Sequence, residues 1–262
     1  MDVTDRNMLD RFDSALAEAY RETVRSCGGE IWEANGVVSW ASPLPQASPA
    51  YANGVMRVSR VMSPREALGI TARFFAARKH GYTLLARSDD RGLWAEVERN
   101  GKAMAAELSA MVTSAPPPRT ALPEEVELRP VENPTGMLDF CGVVASSLGP
   151  ETETRPLVDR ILRRVQALTG PHRSAVVAYE DGSAAACALA TLVDGTALIG
   201  WVCTKPEYRG RGLATSVVDA TVRSGFEDGA DLAAVLSPPA LVPVLDSLGF
   251  EEISRYREYV LP

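Results

Sequence analysis

Apolar and polar positions alternate along the chain with two different periods, and these periods predict helices and strands in both halves. Apolar residues spaced by three and four predict an amphipathic helix over Thr4–Cys27. Strand-like runs follow at Glu30–Ala41, with a tight turn at Asn35-Gly36, and at Tyr51–Val61, with an interruption at Asn53-Gly54.

The first half continues with a second helical pattern. Ser63 followed by Pro64 is typical of a helix start, and the helix is expected to reach about Lys79. A short strand is predicted at Tyr82–Arg87, and a mainly helical stretch from there to about Met111. The proline-rich segment Ser114–Glu125 is the best linker in the sequence, because proline removes backbone donors and stiffens the chain. We therefore expect two domains, residues 1–120 and 121–262.

The second half shows a regular order of elements. The pattern predicts β-α-α-β-β-β-α-β-α-β, with Asp181-Gly182 and Asp194-Gly195 as hairpin turns between consecutive strands. This order indicates an α/β architecture in which a mixed sheet carries helices on both faces. The predicted ranges are strands at 126–131, 175–180, 184–193, 196–203, 231–236 and 252–260, and helices at 134–147, 153–168, 212–226 and up to Leu248.

Composition and charge narrow the classes of function. The net charge of -7 and the pI near 5.1 argue against a general nucleic-acid partner, because the phosphate backbone requires a basic face. The sequence has no run of about 18 uncharged apolar residues, so we expect no membrane-spanning helix. Met1–Asp10 lacks the basic-then-apolar pattern of a secretory signal. The four cysteines are widely spaced and the chain has two histidines, which argues against a metal site. A reducing cytoplasm is the expected setting.

The stretch Trp201–Thr215, WVCTKPEYRGRGLAT, contains the residue pattern that indicates a ligand-binding site. A strand is expected to end at Cys203, and Gly210 and Gly212 then lead into a helix. Glycine allows a close backbone approach to a ligand, and free N–H groups at a helix start attract anions. Arg209 and Arg211 add positive charge suited to phosphate oxygens. A diphosphate is therefore the expected ligand.

Other glycine loops fit this stretch poorly. A dinucleotide fingerprint requires glycine or alanine where Thr215 stands, and a P-loop requires a lysine directly after its last glycine. A glycine-arginine patch for nucleic acid would repeat, whereas this one occurs once in an acidic chain. A tight strand-to-helix turn without a ligand is the structural alternative.

Over residues 124–262 the sequence resembles the GCN5-related N-acetyltransferases (GNAT). That family carries R/Q-x-x-G-x-G/A between its fourth strand and third helix, and here Arg209–Ala214 has this form, after the frequent lead-in Pro206-Glu207-Tyr208. Leu248-Gly249-Phe250 resembles the end of the family's last helix. The resemblance implies a mostly antiparallel mixed sheet flanked by helices, with acetyl-CoA as co-substrate and an amine as acceptor.

The resemblance also implies which residues hold the coenzyme. The pyrophosphate would bind the loop amides, and the pantetheine arm would pair with the end of the preceding strand, which splays from its neighbour. The implied residues are Val202, Cys203, Thr204, Arg209, Gly210, Arg211, Gly212, Leu213, Ala214 and Thr215.

The catalytic groups depart from the family pattern. Many members place a tyrosine where Leu245 stands and an asparagine where Pro238 stands, and the strand 196–203 lacks the glutamate that commonly acts as base. Ser237 and Tyr256 are the substitutes we predict as catalytic groups. The alternative function is a catalytically silent acyl-CoA-binding protein with a regulatory or scaffolding role.

The N-terminal half resembles a degenerate copy of the same fold, as in tandem members of the family. Its element order is similar and Tyr51-Ala52-Asn53-Gly54 resembles their N-terminal halves, but it has no R/Q-x-x-G-x-G/A loop. Such a domain would shape the acceptor cleft or form an oligomer contact, for example in a homodimer.

Overall fold

The structure is a computed structural model that describes residues 3–44, 52–118, 122, 125–149, 151–162 and 166–262. The chain divides into two units, the first comprising Met1–Ala110, Ser237–Pro239 and Glu252–Pro262, and the second comprising Met111–Leu236 and Ala240–Glu251. The predicted domain boundary near residue 120 falls outside the described residues and stays a prediction.

The first unit is built on antiparallel strands with one parallel pair. Its strand order is β1-β2-β3-β4-β11, in which only β3 and β4 run parallel. Asn35 and Gly36 both have positive φ, of 49° and 79°, which is the geometry of the predicted two-residue hairpin turn between β1 and β2. The elements are α1 (Val3–Ser26), β1 (Glu30–Ala34), β2 (Val37–Ala41), β3 (Asn53–Arg57), α2 (Pro64–Ala76), β4 (Tyr82–Arg87), α3 (Arg91–Arg99), β5 (Ala106–Thr113, which continues into the second unit) and β11 (Glu251–Leu261).

Helices cover both faces of these strands. Phe75 of α2 and Leu93 of α3 are buried in one cluster with Leu84 of β4. On α1, Tyr20 stacks on the fully buried Trp40 of β2, with 4.5 Å between ring centroids. Burial of this apolar area is the main stabilising term in each layer.

The second unit has the strand order β10-β9-β8-β7-β6, and only β9 and β10 run parallel. Ala186 and Ala188 of β8 pack in a cluster with Val217 of α7, while Cys187 between them directs its sulfur toward the backbone of Phe140 in α4. Because side chains alternate along a strand, α4 and α7 lie on opposite faces, as the sequence predicts. The elements are β6 (Val126–Pro130), α4 (Pro134–Leu148), α5 (Glu151–Leu162), α6 (Gln166–Thr169), β7 (Arg173–Glu180), β8 (Ser183–Val193), β9 (Thr196–Thr204), α7 (Leu213–Glu227), β10 (Leu232–Ser237) and α8 (Val242–Ser247).

Two local predictions are wrong. The stretch up to Met111 is not mainly helical, because α3 ends at Arg99, Gly101 just beyond it has a φ of 74°, and β5 follows. The helix expected over 153–168 coincides with α5 and α6, and whether it is continuous stays a prediction, because residues 163–165 lie outside the described ranges.

The second wrong prediction concerns Asn53-Gly54, which begins β3 instead of interrupting a strand. The buried side-chain amide of Asn53 donates to the carbonyl of Leu44 and accepts from the backbone N–H of Ser42. It therefore provides hydrogen-bond partners for backbone groups just after β2. Tertiary hydrogen bonding thus overrides the usual turn preference of this dipeptide.

Candidate functional site

The loop between β9 and α7 places two glycines in a conformation that other residues rarely adopt. After β9, Pro206–Tyr208 forms one turn of 3-10 helix and Arg209 is extended. Gly210 and Gly212 then have φ of 77° and 79°. A Cβ atom at either glycine would meet nothing within 4 Å, so the loop backbone borders open space. The glycines are therefore required by the backbone angles and not by close packing.

The backbone amides at the start of α7 lack protein partners. Ser216 is the first residue of this helix start to donate an N–H within it, to the carbonyl of Gly212 at 3.1 Å. No side chain caps the helix, and within the described ranges no acceptor takes the N–H groups from Gly210 to Thr215. Unpaired amides and the positive end of the α7 dipole together form an anion site.

The two arginines of the loop have different environments. Arg211 makes an ion pair with Glu180, at 2.5 Å, and donates to the carbonyl of Glu207. Glu180 is only 9% exposed and ends β7, so Arg211 fixes the loop to that hairpin. The residue types in the loop alone do not reveal this partner, because Glu180 is distant in sequence.

Arg209 has no carboxylate partner among the described residues. Its Nε donates to the carbonyl of Thr204 at 3.3 Å, and its Nη2 lies 3.5 Å from the carbonyl of Ser147 at the end of α4. These carbonyls orient the guanidinium group without neutralising it. Arg209 therefore contributes more unpaired positive charge to the loop than Arg211 does.

β9 separates from β10 before it reaches the loop. The two strands pair only at Thr196, Ala197 and Leu198 of β9. On its other side β9 stays paired with β8 as far as Thr204. Val202, Cys203 and Thr204 therefore lie beyond the last β10 partner, on the part of β9 where an extended ligand amide could be added.

A β-bulge accompanies this separation. Cys203 pairs with Cys187, and the next pair is Gly200 with Leu189, so β9 accommodates one extra residue. Trp201 at the bulge has a φ of 53°, which is uncommon for a residue other than glycine. Bulges re-aim side chains and end regular pairing, and this one directs the end of β9 toward the loop.

The structure places the two predicted catalytic residues in the first unit, whereas the loop belongs to the second. Ser237 ends β10, is fully buried, and its hydroxyl donates to the carbonyl of Pro238 at 3.0 Å. Tyr256 of β11 is also buried and donates to Asp13, a carboxylate that accepts from Arg87 at 2.8 Å as well. Burial and this carboxylate raise the pKa of Tyr256 well above its usual value.

One thiol pair near the loop was not anticipated. Cys187 and Cys203 are opposed across β8 and β9, on the side of α4 where Ser147 lies. The sequence does hold one signal for this pair, since Cys187 and Cys203 lie at nearly equal distances from the Asp194-Gly195 turn. The difference of one residue is the extra residue of the bulge. The Cys187 thiol, the Ser147 hydroxyl and the charge of Arg209 lower the pKa of Cys203, while burial and the neighbouring Cys203 raise the pKa of Cys187.

Two other kinds of feature are absent from the described parts of the chain. None of the described helices is long and apolar enough to span a membrane. No group of three His, Cys, Asp or Glu side chains there is arranged to hold a metal ion.

Comparison with known proteins agrees with this geometry. Residues 138–250 match the model of the Acetyltransferase (GNAT) family. A GCN5-related N-acetyltransferase from Kribbella flavida has 16% identity and a TM-score of 0.74, with 97% of this chain and 95% of that chain covered. A GCN5-related N-acetyltransferase from Sphaerobacter thermophilus has 15% identity and a TM-score of 0.59, with 97% and 92% covered.

A third solved structure is also similar in fold over nearly the whole chain. It is a tandem GNAT protein from the clavulanic acid biosynthesis pathway, with 16% identity, a TM-score of 0.58, and 99% of this chain and 95% of that chain covered. A search of curated protein sequences finds no significant match. The chain therefore has the GNAT fold, and its segment 138–250 matches the Acetyltransferase (GNAT) family.

Proposed function

We propose that this chain binds acetyl-CoA at the start of α7 and transfers the acetyl group to an amine of a small molecule or protein. The observation that carries the proposal is the row of unpartnered amides from Gly210 to Thr215, directly after a strand that has left its neighbour. A diphosphate and an adjoining extended amide chain match these two features in order.

The coenzyme contacts follow from the donors present. The amides of Gly210–Thr215 would hold the pyrophosphate, and Arg209 would add its unpaired charge. Val202, Cys203 and Thr204 would pair with the pantetheine amides along β9. Arg211 would act mainly by holding the loop on Glu180.

The chemistry rests on positioning more than on dedicated proton-transfer groups. An amine attacks the thioester carbonyl, the thiolate leaves, and the amine loses one proton. Leu245, at the position of the family's tyrosine, is fully buried in the apolar core of the second unit and has no proton to offer. Ser237 and Tyr256 stay our candidates for proton transfer, but both hydroxyls are buried and already donate, so each would need to exchange its present acceptor.

We also infer that the first unit is a GNAT-like copy that does not bind coenzyme. Its parallel pair β3–β4 is connected through α2, just as β9–β10 is connected through α7. At the start of α2, however, Ser63 accepts from the N–H of Glu66, and the Glu66 carboxylate accepts from the N–H of Ser63. This capping box occupies the N–H groups of Ser63 and Glu66 and adds a negative charge where a diphosphate would bind.

A silent acyl-CoA-binding protein is the second candidate. Leu245, Pro238 and the absence of glutamate from the β9 sequence TALIGWVCT favour it, because they remove the family's usual acid and base. The two candidates share the coenzyme site and differ only in turnover.

One experiment separates them. CoA affinity is measured by calorimetry, and thiol release from acetyl-CoA is followed with a panel of small amines and amino-terminal peptides. Multiple turnovers that depend on the amine, together with CoA binding, support the enzyme. Binding without turnover on any amine favours the silent protein, and the lack of any CoA binding rejects both.

A further inference from the structure

Two free cysteines lie directly opposite each other across β8 and β9. Cys187 and Cys203 are register partners in the antiparallel pair. Opposed residues of such a pair have Cα atoms about 4.5–5.5 Å apart, within the range of about 4.4–6.8 Å that a disulfide spans. Opposed side chains leave a sheet on the same face, here the face covered by α4. The backbone therefore already has the spacing that a cross-strand disulfide needs.

The two thiols have complementary environments. Cys187 is fully buried, whereas Cys203 is partly exposed. The Cys187 thiol, Ser147 and the guanidinium group of Arg209 lower the pKa of Cys203, and burial raises the pKa of Cys187. A reachable thiolate beside a protected second thiol is the arrangement that thiol–disulfide exchange requires.

We propose that Cys203 is a site of modification by low-molecular-weight disulfides and that Cys187 resolves the product. The Cys203 thiolate attacks one sulfur of the small disulfide, forming a mixed disulfide and releasing one small thiolate. The Cys187 thiol then loses its proton and attacks the Cys203 sulfur, which releases the second small thiolate. The two cysteines lose two electrons and two protons in all, and the small disulfide is reduced to two thiols.

This modification would control coenzyme binding, a consequence that rests on the proposed function. Cys203 lies on the segment of β9 assigned to the pantetheine arm, between Val202 and Thr204, and close to Arg209. A mixed disulfide at Cys203 would occupy that space, and the Cys187–Cys203 bond would hold the bulged end of β9 against β8. Both products are expected to weaken CoA binding.

The test uses the full chain, reduced and then exposed to oxidised glutathione without CoA. Samples are quenched with an alkylating reagent, and each cysteine is mapped by mass spectrometry over time. We expect an intramolecular Cys187–Cys203 disulfide, with Cys203 reacting about tenfold or more faster than Cys27, the other partly exposed thiol, whose pKa is raised by burial. Cys141, with its pKa raised to about 11 by burial, is expected to stay reduced.

Two variants define the order of the steps. In Cys187→Ala the glutathione adduct should accumulate at Cys203, and in Cys203→Ala Cys187 should stay reduced. Oxidation of Cys27 at a rate equal to that of Cys203, or oxidation of Cys187 that persists in Cys203→Ala, would overturn the proposal. The rates at Cys27 and Cys203 are compared in the unaltered chain, so this comparison can overturn the proposal even if a variant does not fold.

The same samples distinguish this proposal from the coenzyme proposal. Exchange at Cys203 is measured without CoA, so a protein that binds no CoA but forms the disulfide would reject only the proposed function. A protein that binds CoA but leaves Cys203 unmodified would reject only the exchange site. If the protein both binds CoA and forms the disulfide, CoA should slow modification of Cys203. An unchanged rate would overturn the placement of the pantetheine arm and the reactive thiol on the same segment of β9.

Discussion

Replacement of Gly212 by aspartate tests whether the start of α7 binds a diphosphate. Gly212 has a φ of 79°, and a side chain there would enter open space, since no atom lies within 4 Å of the Cβ position. The variant should therefore fold. Its backbone cost is about 1 kcal/mol, the usual penalty for placing a residue other than glycine in the left-handed region.

The expected loss of CoA affinity is larger than this backbone cost. A carboxylate about 5 Å from one phosphate charge is disfavoured by about 3 kcal/mol at an effective dielectric constant of about 20. That energy corresponds to an affinity about 10²-fold weaker. Gly212→Asn is the matched control, because asparagine has nearly the same shape and tolerates positive φ but carries no charge.

The assay is calorimetric titration of both variants with CoA, at low and at high salt, beside a urea unfolding curve for each. The aspartate variant should bind about 10²-fold more weakly than the asparagine variant, and salt should narrow the difference because it screens the repulsion. Equal affinities for the two variants, with both still folded, would refute the assignment of the diphosphate to this loop.

Three further predictions concern stability, measured by urea unfolding. Gly225→Ala should destabilise the protein by about 1–3 kcal/mol, because its Cβ would lie 2.5 Å from that of Ala197, whereas Gly69→Ala in the open interior of α2 should stabilise it by about 0.5–1 kcal/mol. Asn53→Ala should cost about 1–3 kcal/mol, since it removes the donor to the buried carbonyl of Leu44, while the N–H of Ser42 keeps the carbonyl of Ala52 as an acceptor. Burial raises the pKa of Asp13 from 3.8 to about 6, so the folded state binds this proton more tightly than the unfolded state does. Stability should therefore fall by about 3 kcal/mol between about pH 4 and pH 7, relative to Asp13→Asn over the same range, and parallel profiles for the two proteins would contradict this.

The elements of the second unit could be predicted because their signals are local. Asp181-Gly182 and Asp194-Gly195 adopt the positive φ angles that such turns require, and the strands on either side alternate between faces. β5 could not be predicted in this way. Its sequence AELSAMVT is rich in good helix formers, and its strand conformation depends on pairing with residues distant in sequence.

The local sequence pattern also could not predict which strand pairs with the last strand, β11. The sequence predicts a strand at 252–260 and assigns it to the second domain, while the contacts place Glu252–Pro262 in the first unit. There β11 pairs antiparallel with β4, and Tyr256 lies opposite Arg87. A period of two indicates that a strand forms and which side chains share a face, but it carries no information about the strand beside it.

The candidate site was predictable as a backbone feature and not as a set of side-chain contacts. Gly210 and Gly212 indicate the loop because glycine adopts those angles at the lowest cost, and both residues have positive φ in the structure. The ion pair of Arg211 with Glu180 and the opposition of Cys187 to Cys203 depend on register and on the bulge, which one sequence does not reveal.

The two helix starts of this chain explain why one unit is expected to bind coenzyme and the other is not. Each start follows the first strand of a parallel pair, so the backbone offers the same dipole and the same orphan amides in both units. At α2 the side chains of Ser63 and Glu66 pair with each other's N–H groups and add negative charge, and Pro64 has no N–H to offer. At α7 glycine at the cap position leaves them unpaired, with Arg209 nearby. The difference between a structural helix and an anion-binding one is therefore set by the residues at the cap, where a serine and a glutamate close the site that two glycines leave open.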